Sequence, residues 1–430
     1  MKRFVSWWKS AAGAAARAGV LTALPMLAGL VLVAQMAAEA GAYFPAVYVV
    51  AAALAAVGAL AFSRLGLALA LGPDLVVAGW LFSLLVISHG LTLGQLYALL
   101  AVVSLCACLA AFSGLAARIV SAVPEAIRAA LPVALGAMMM LWGLEQGRML
   151  LASPVHLVML GDFADPFAYF SLLGLVVILG LRALGVRQAI GLGLIITALL
   201  SFIEGFWIVP PAPFYAPEGL DRAAGLFLLA GEGDAKAFGS MAAVAPWLFL
   251  ALLLRFYGTW QALGTGRGAL PKQPLRIVCG LNFLAALLGM TPMTAAPESA
   301  LAGESGRAHP RAYACGVAAG LVFLLSAEPL AKELASFPAM LVPCIIVAGF
   351  QLVARARLDW AGTDLAERAA AVALCVLVPL TYDMALGLAV AVIAYVLLSV
   401  LAGRTERVTR TMRVLAALAV VLLFSDAWLF

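Results

Sequence analysis

Apolar runs of about twenty residues recur along nearly the whole of this 430-residue chain, separated by short polar breaks. A hydrocarbon layer ~30 Å thick needs ~20 residues of helix to cross it. Helices satisfy their own backbone groups where no water can reach them. Composition points the same way, with 65% hydrophobic and 11% charged residues, against about 25% charged in soluble domains. The expectation is an all-α polytopic membrane protein with no separate soluble domain. The basic start (Lys2, Arg3, Lys9, Arg17) precedes an apolar run from Ala18 to Ala38. That run is too long for a signal-peptide core and is taken as the first span.

Candidate spans fall at about 18–38, 44–62, 66–88, 94–114, 127–147, 166–182 and 184–206, and resume at about 244–263, 274–290, 292–303, 312–328, 336–354, 365–381 and 383–402. The expected organisation is about fourteen segments: seven in 1–206, an external loop 207–243, seven in 244–403, then a basic stretch and apolar tail 404–430. Charge supports the count, because loops on the cytoplasmic side collect Lys and Arg. With the amino terminus inside, 21 of the 26 basic residues fall on the cytoplasmic side; Arg148, Arg222, Lys236 and Lys332 fall outside, and Arg255 lies within a span. Both termini are therefore expected in the cytoplasm of a cell with this protein in its inner membrane. The +5 net charge reflects topology, and nucleic acid is not an expected partner.

Two segments are broken. The third contains Gly72-Pro73-Asp74, and the tenth runs from Gly289-Met290-Thr291-Pro292 through Thr294 to Ala296-Pro297-Glu298-Ser299. Proline removes a backbone donor, and such breaks persist at membrane depth only where protein or a cavity satisfies the freed groups. Paired breaks at matching places in two halves point to a transporter binding site, with half-helix N-termini aimed inward. Glu298 and Asp74 each follow a proline, where a first-turn acid stabilises a helix start. An ionisable group at this depth is also a functional candidate, and both are candidates for proton coupling. Arg255, within the eighth span, needs a partner. Tyr257, Trp260 and Gln261 follow it and offer stacking and an amide for a flat heterocycle, or simple packing. The six cysteines sit in apolar runs as packing residues, and His89, His156 and His309 have no metal-site spacing. No metal and no cofactor are expected. The absence of a phosphate-binding glycine pattern makes transport secondary, and the absence of a nucleophile elbow argues against an enzyme.

The run Gly289 to Ser299, ending Ala-Ala-Pro-Glu-Ser, resembles the Thr-rich, Glu-Ser motif of the nucleobase–cation symporters, nearest to the bacterial adenine/guanine/hypoxanthine permeases. Leu160-Gly161-Asp162, Ala122-Val123-Pro124-Glu125 and Pro379-Leu380-Thr381-Tyr382 with Gly387 also resemble segments of that family. The resemblance implies two inverted seven-span repeats, with spans 1–4 and 8–11 as a core, spans 5–7 and 12–14 as a gate, and short extended strands in segments 3 and 10. It implies proton symport of a small molecule across the lipid bilayer, with substrate between those strands and span eight. Glu298 matches the substrate glutamate. Ser299, Ala296, Thr294, Asp74, Arg255 and Tyr257 complete the expected substrate-binding set. Analogy with the related fold adds a homodimer.

The chain departs from the family pattern at three places. Span eight carries Leu254, Arg255 and Tyr257 in a stretch where the family has two acids. The third-span motif is reduced to Leu71-Gly72-Pro73-Asp74-Leu75-Val76. Met290, Pro292 and Met293 replace hydroxyls. Three functions stay open on the sequence: a transporter of a nucleobase or similar heterocycle with an altered central site, a transporter of an organic anion using Arg255, and a non-transporting receptor or scaffold.

Overall fold

A computed structural model describes residues 10–215, 220–232, 235–263, 271–356 and 362–429. Lys2, Arg3, Lys9, Arg267 and Arg357 of the charge pattern lie outside these residues.

Among the described residues, seven helices are long and apolar enough to cross a membrane: Ala11–Glu39, Phe44–Arg64, Leu93–Ser113, Glu125–Gln146, Pro166–Ala183, Pro338–Arg355 and Met384–Leu401. Pro310–Ser326 and Glu328–Ser336, bent by 72° at their junction, make an eighth if taken as one span. Local chemistry sets many helix ends. Ser10 accepts the Gly13 N–H at 3.2 Å. Thr92 and Gln95 form a reciprocal capping box, satisfying two N–H groups that an N-terminus leaves orphaned. Gly114, at φ 79°, ends the Leu93–Ser113 helix in the left-handed region, which glycine enters without a Cβ clash. The guanidinium of Arg276 donates to the Ala111 and Phe112 carbonyls at that same end.

The chain divides into two compact units. The first takes Met1–Leu75, Met139–Ala224 and Ala295–Phe350. Its centre is the Pro310–Ser326 helix packed against Ala11–Glu39 and Phe44–Arg64. A Cβ added at Gly316 would lie 2.0 Å from the Ala16 carbonyl oxygen, and one at Gly19 would lie 2.1 Å from that of Tyr313. Small residues let these backbones touch, as in membrane helix pairs generally. The Tyr48 hydroxyl donates to the Leu324 carbonyl at 2.8 Å. The Pro166–Ala183 helix packs against Ala189–Ile203, and Phe167, Phe170, Phe206 and Phe337 form an aromatic cluster beside it. Before that helix, strands β2 (Leu150–Ala152) and β3 (Val158–Leu160) form an antiparallel pair with Leu150 opposite Leu160.

The second unit takes Val76–Met138, Gly225–Thr294 and Gln351–Phe430. Here the Leu93–Ser113 helix packs against Lys272–Leu287, Ala235–Ala262 and the 3-10 turn Leu226–Glu232. A second group stacks Leu365–Thr381 on Met384–Leu401, and the latter on Arg410–Leu429. Asp364 accepts the Glu367 N–H at 3.0 Å and pairs with Arg404 and Arg407 at 2.9 and 3.2 Å. The Ala235–Ala262 helix begins well before the expected span at 244; the stretch from 235 is rich in alanine, the best helix former, and its single Gly239 costs only about 1 kcal/mol.

Candidate functional site

Both broken segments contain a three-residue strand, β1 at Leu71–Pro73 and β4 at Met293–Ala295. The helical pieces after them are not the regular half-helices the sequence suggests. A five-residue helix, Leu75–Gly79, passes into nine residues of π-helix, Trp80–Ser88. After β4, Pro297–Ala302 forms a 3-10 turn, and Gly303 (φ 60°, ψ −162°) interrupts it before the six-residue helix Gly303–Ala308. That backbone geometry is open to glycine alone. Short, tight turns of this kind carry less aligned dipole than a long helix, so local hydrogen bonds matter more at both breaks.

In the first unit, Asp74, Ala296, Glu298 and Ser299 belong to one stitched structure. The Ala296 N–H donates to the Ala70 carbonyl at 2.9 Å. The Ser299 hydroxyl oxygen accepts the Ala70 N–H at 2.8 Å, and its own hydrogen faces the Ala70 carbonyl at 3.4 Å. A Cβ at Gly72 would lie 3.2 Å from the Ala296 Cβ, so a larger residue there would push the two segments apart. The Ala11–Glu39 helix packs against both β1 and the Pro297–Ala302 turn. Glu298 is partly buried in the first turn after Pro297, and Asp74 is buried next to β1. Tyr313, on the central helix, donates from its hydroxyl to Thr22 at 3.2 Å, and Thr22 donates to the Ala18 carbonyl at 2.7 Å. Ser299 thus does a structural task in addition to any contact with substrate.

The second unit holds Thr294, Arg255 and Tyr257. Thr294 and Thr259 share a hydroxyl–hydroxyl bond of 3.2 Å, and Thr259 also donates to the carbonyls of Arg255 and Phe256. The Asn282 carboxamide oxygen accepts the Met293 N–H at 2.8 Å, which fixes the start of β4. Arg255 is buried, 5% exposed. The Tyr257 hydroxyl accepts from Arg128 Nη1 at 3.1 Å and from Gln261 Nε2. Thr22, Tyr313, Arg128, Thr259 and Asn282 join these networks without standing out as site residues in the sequence. Their signal was a single polar residue inside an apolar run, which for a buried position demands a partner.

No family model matches the chain. It is 27% identical over 314 residues to the Methanocaldococcus jannaschii protein MJ0326, which carries the name of a permease; the match covers 70% of this chain and 69% of that one. It is 25% identical over 322 residues to the guanine/hypoxanthine permease PbuO of Bacillus subtilis, covering 71% and 72%. The similarity to nucleobase permeases seen in the motif therefore extends over most of the chain. Among solved structures, the transmembrane domain of the cyanobacterial bicarbonate transporter BicA superposes with a TM-score of 0.57 at 16% identity, over 88% of this chain and 97% of that one. At that identity the likeness concerns the fold.

Proposed function

We propose that the chain is a secondary active transporter of a nucleobase or similar flat heterocycle, driven by protons. In this reading it is a permease rather than an enzyme, with fourteen crossings arranged as two inverted seven-span repeats. The repeats occupy 1–206 and 244–403 on either side of an external loop, 207–243, and the basic stretch and apolar tail 404–430 follow. Both termini lie on the cytoplasmic side of the inner membrane, and the protein works as a homodimer. The observation that carries the proposal is the stitched pair of breaks in the first unit, where Ser299 and Ala296 bond Ala70. A backbone tied in this way holds Glu298 steady without using its carboxylate. That carboxylate remains the natural acceptor for ring N–H donors and the natural carrier of a coupled proton, with Asp74 as the second acid. Names of relatives such as PbuO support the substrate class.

Uptake of labelled purines and uracil into cells that lack their own base permeases tests the proposal, with and without an uncoupler. Accumulation that the uncoupler abolishes is expected. A well-expressed, membrane-inserted protein that moves no base would overturn it.

A second reading is transport of an organic anion. It is favoured by Arg255, a buried cation in the stretch of span eight where the resembled family has acids. If Arg255→Asp left anion uptake intact, this reading would fail.

A further inference from the structure

We infer that Arg128 binds an oxyanion of the phosphate type and that Tyr257 holds it in position to do so. Arg128 lies in the first turn of the Glu125–Gln146 helix, where the positive end of the helix dipole adds to its charge rather than offsetting it. Its Nη1 donates to the Tyr257 hydroxyl at 3.1 Å, and its guanidinium carbon stands 5.1 Å from the centroid of the Tyr257 ring. Gln261 donates to the same hydroxyl oxygen. The two helices meet closely just beside this contact, since a Cβ at Gly258 would lie 3.0 Å from Pro132 Cγ. The ring and the guanidinium are therefore held in register by packing as well as by the hydrogen bond.

The opposite edge of Arg128 has different surroundings. Its Nε is buried and has no hydrogen-bond partner among the described residues. No carboxylate pairs with Arg128 among the described residues. A half-buried cation whose nearest protein partner is a neutral phenol lacks the compensation that buried charge requires. With Nη1 committed to Tyr257, Nε and Nη2 form the side-on pair of parallel donors that matches two oxygens of a phosphate or carboxylate. An oxyanion that binds Nη2 and displaces the groups covering the buried Nε satisfies that atom and neutralises the charge in one step. Free phosphate and the phosphate of a lipid headgroup share this chemistry. The inference does not depend on the nucleobase reading, and base uptake measured alongside keeps failures of the two apart.

The test uses the purified full-length protein in dodecyl maltoside micelles, which carry no phosphate. Thermal unfolding is followed as inorganic phosphate is titrated at constant ionic strength. A second arm adds phosphatidylglycerol to the micelles and omits phosphate. A ligand that binds only the folded state raises the midpoint with a saturation curve. The expected result is a saturable rise in the first arm if the source is free phosphate, or an upward offset in the second if it is lipid. In Arg128→Gln the half-saturation moves up by about tenfold or more, or the lipid offset disappears, as loss of a charge-assisted bidentate contact predicts. If Arg128→Gln does not fold, Tyr257→Phe keeps the ring, removes the acceptor for Nη1, and weakens the phosphate response several-fold. A response absent from both arms, or unchanged in the variant, overturns the inference.

Discussion

Replacing Ser299 with alanine separates a residue that holds the backbone from one that contacts substrate. Ser299 is 4% exposed and its oxygen accepts the N–H of Ala70, which is itself fully buried, at 2.8 Å. Alanine leaves that N–H without an acceptor in a place water does not reach. Leaving a buried donor unsatisfied costs about 1–3 kcal/mol. The neighbouring bond from Ala296 to Ala70 is untouched, so the cost falls on local opening of this stretch rather than on the whole fold. At a factor of ten per 1.4 kcal/mol, the Ala70 amide is expected to exchange roughly 5- to 150-fold faster. Hydrogen exchange on peptides spanning residues 67–75, in nanodiscs, measures this directly. Ser299→Thr keeps the oxygen and should restore most of the protection. Uptake should fall in Ser299→Ala and recover in Ser299→Thr in step with protection. If exchange at Ala70 were unchanged while uptake collapsed, the clamp argument would be refuted, and Ser299 would be a substrate contact alone.

Glu298→Gln keeps the shape of the side chain and removes its charge; base-stimulated thermal stabilisation and uptake should both be lost, while the midpoint without ligand stays within a degree or two, as read by differential scanning fluorimetry. Asn282→Ala strands the Met293 N–H, so exchange protection at Met293 should drop by the same order as at Ala70, about 5- to 150-fold. Gly316→Leu cannot fit, because even its Cβ would meet the Ala16 carbonyl at 2.0 Å; overpacking of about 1–3 kcal/mol or more should appear as loss of the monodisperse peak in size-exclusion chromatography. The hydrogen bond from Arg148, with help from the Phe167 N–H, holds the Asp165 carboxyl below the usual carboxylate range. A lowered folded value means that this stabilisation is present above the unfolded value of about 3.9 and is lost as pH falls through the folded one. Asp165→Asn should therefore cost only about 0.2–1 kcal/mol at neutral pH, the range for an exposed pair, and thermal midpoints of the two proteins should converge in strong acid.

Apolar length and proline made much of this legible in the sequence. The expected span at 44–62 is the Phe44–Arg64 helix, and that at 94–114 is Leu93–Ser113. Both follow from runs with no internal breaker. The two strands fall at the Gly-Pro and Thr-Pro-Met-Thr interruptions, where proline withholds a donor, although proline alone does not end a helix here, since Pro25, Pro132, Pro246 and Pro379 lie inside continuous ones. The hairpin of β2 and β3 is not visible in the sequence, since its three-residue strands are too short to show a period in what reads as an outside loop. The helices Leu115–Ala122 and Glu328–Ser336 were hidden for a related reason. A search tuned to twenty apolar residues passes over short amphipathic ones. The charge pattern places Arg128 in a cytoplasmic loop, whereas it lies in the first turn of the Glu125–Gln146 helix and its partner Tyr257 is 129 residues away. No local pattern encodes a contact of that kind.

Around β4, neighbouring helices supply hydrogen bonds that the strand's own residues do not. With Met290, Pro292 and Met293 in place of hydroxyl residues, the strand has few side-chain groups to offer a polar ligand. The strand is nonetheless held, by Asn282 at the Met293 N–H and by Thr259 at the Thr294 hydroxyl, and the turn after it is held by Ser299. These three residues lie on helices or turns outside the strand itself. The bonds from Asn282 and Thr259 do not use the side chains of Met290, Pro292 or Met293, so a changed side chain at any of those three positions leaves them in place.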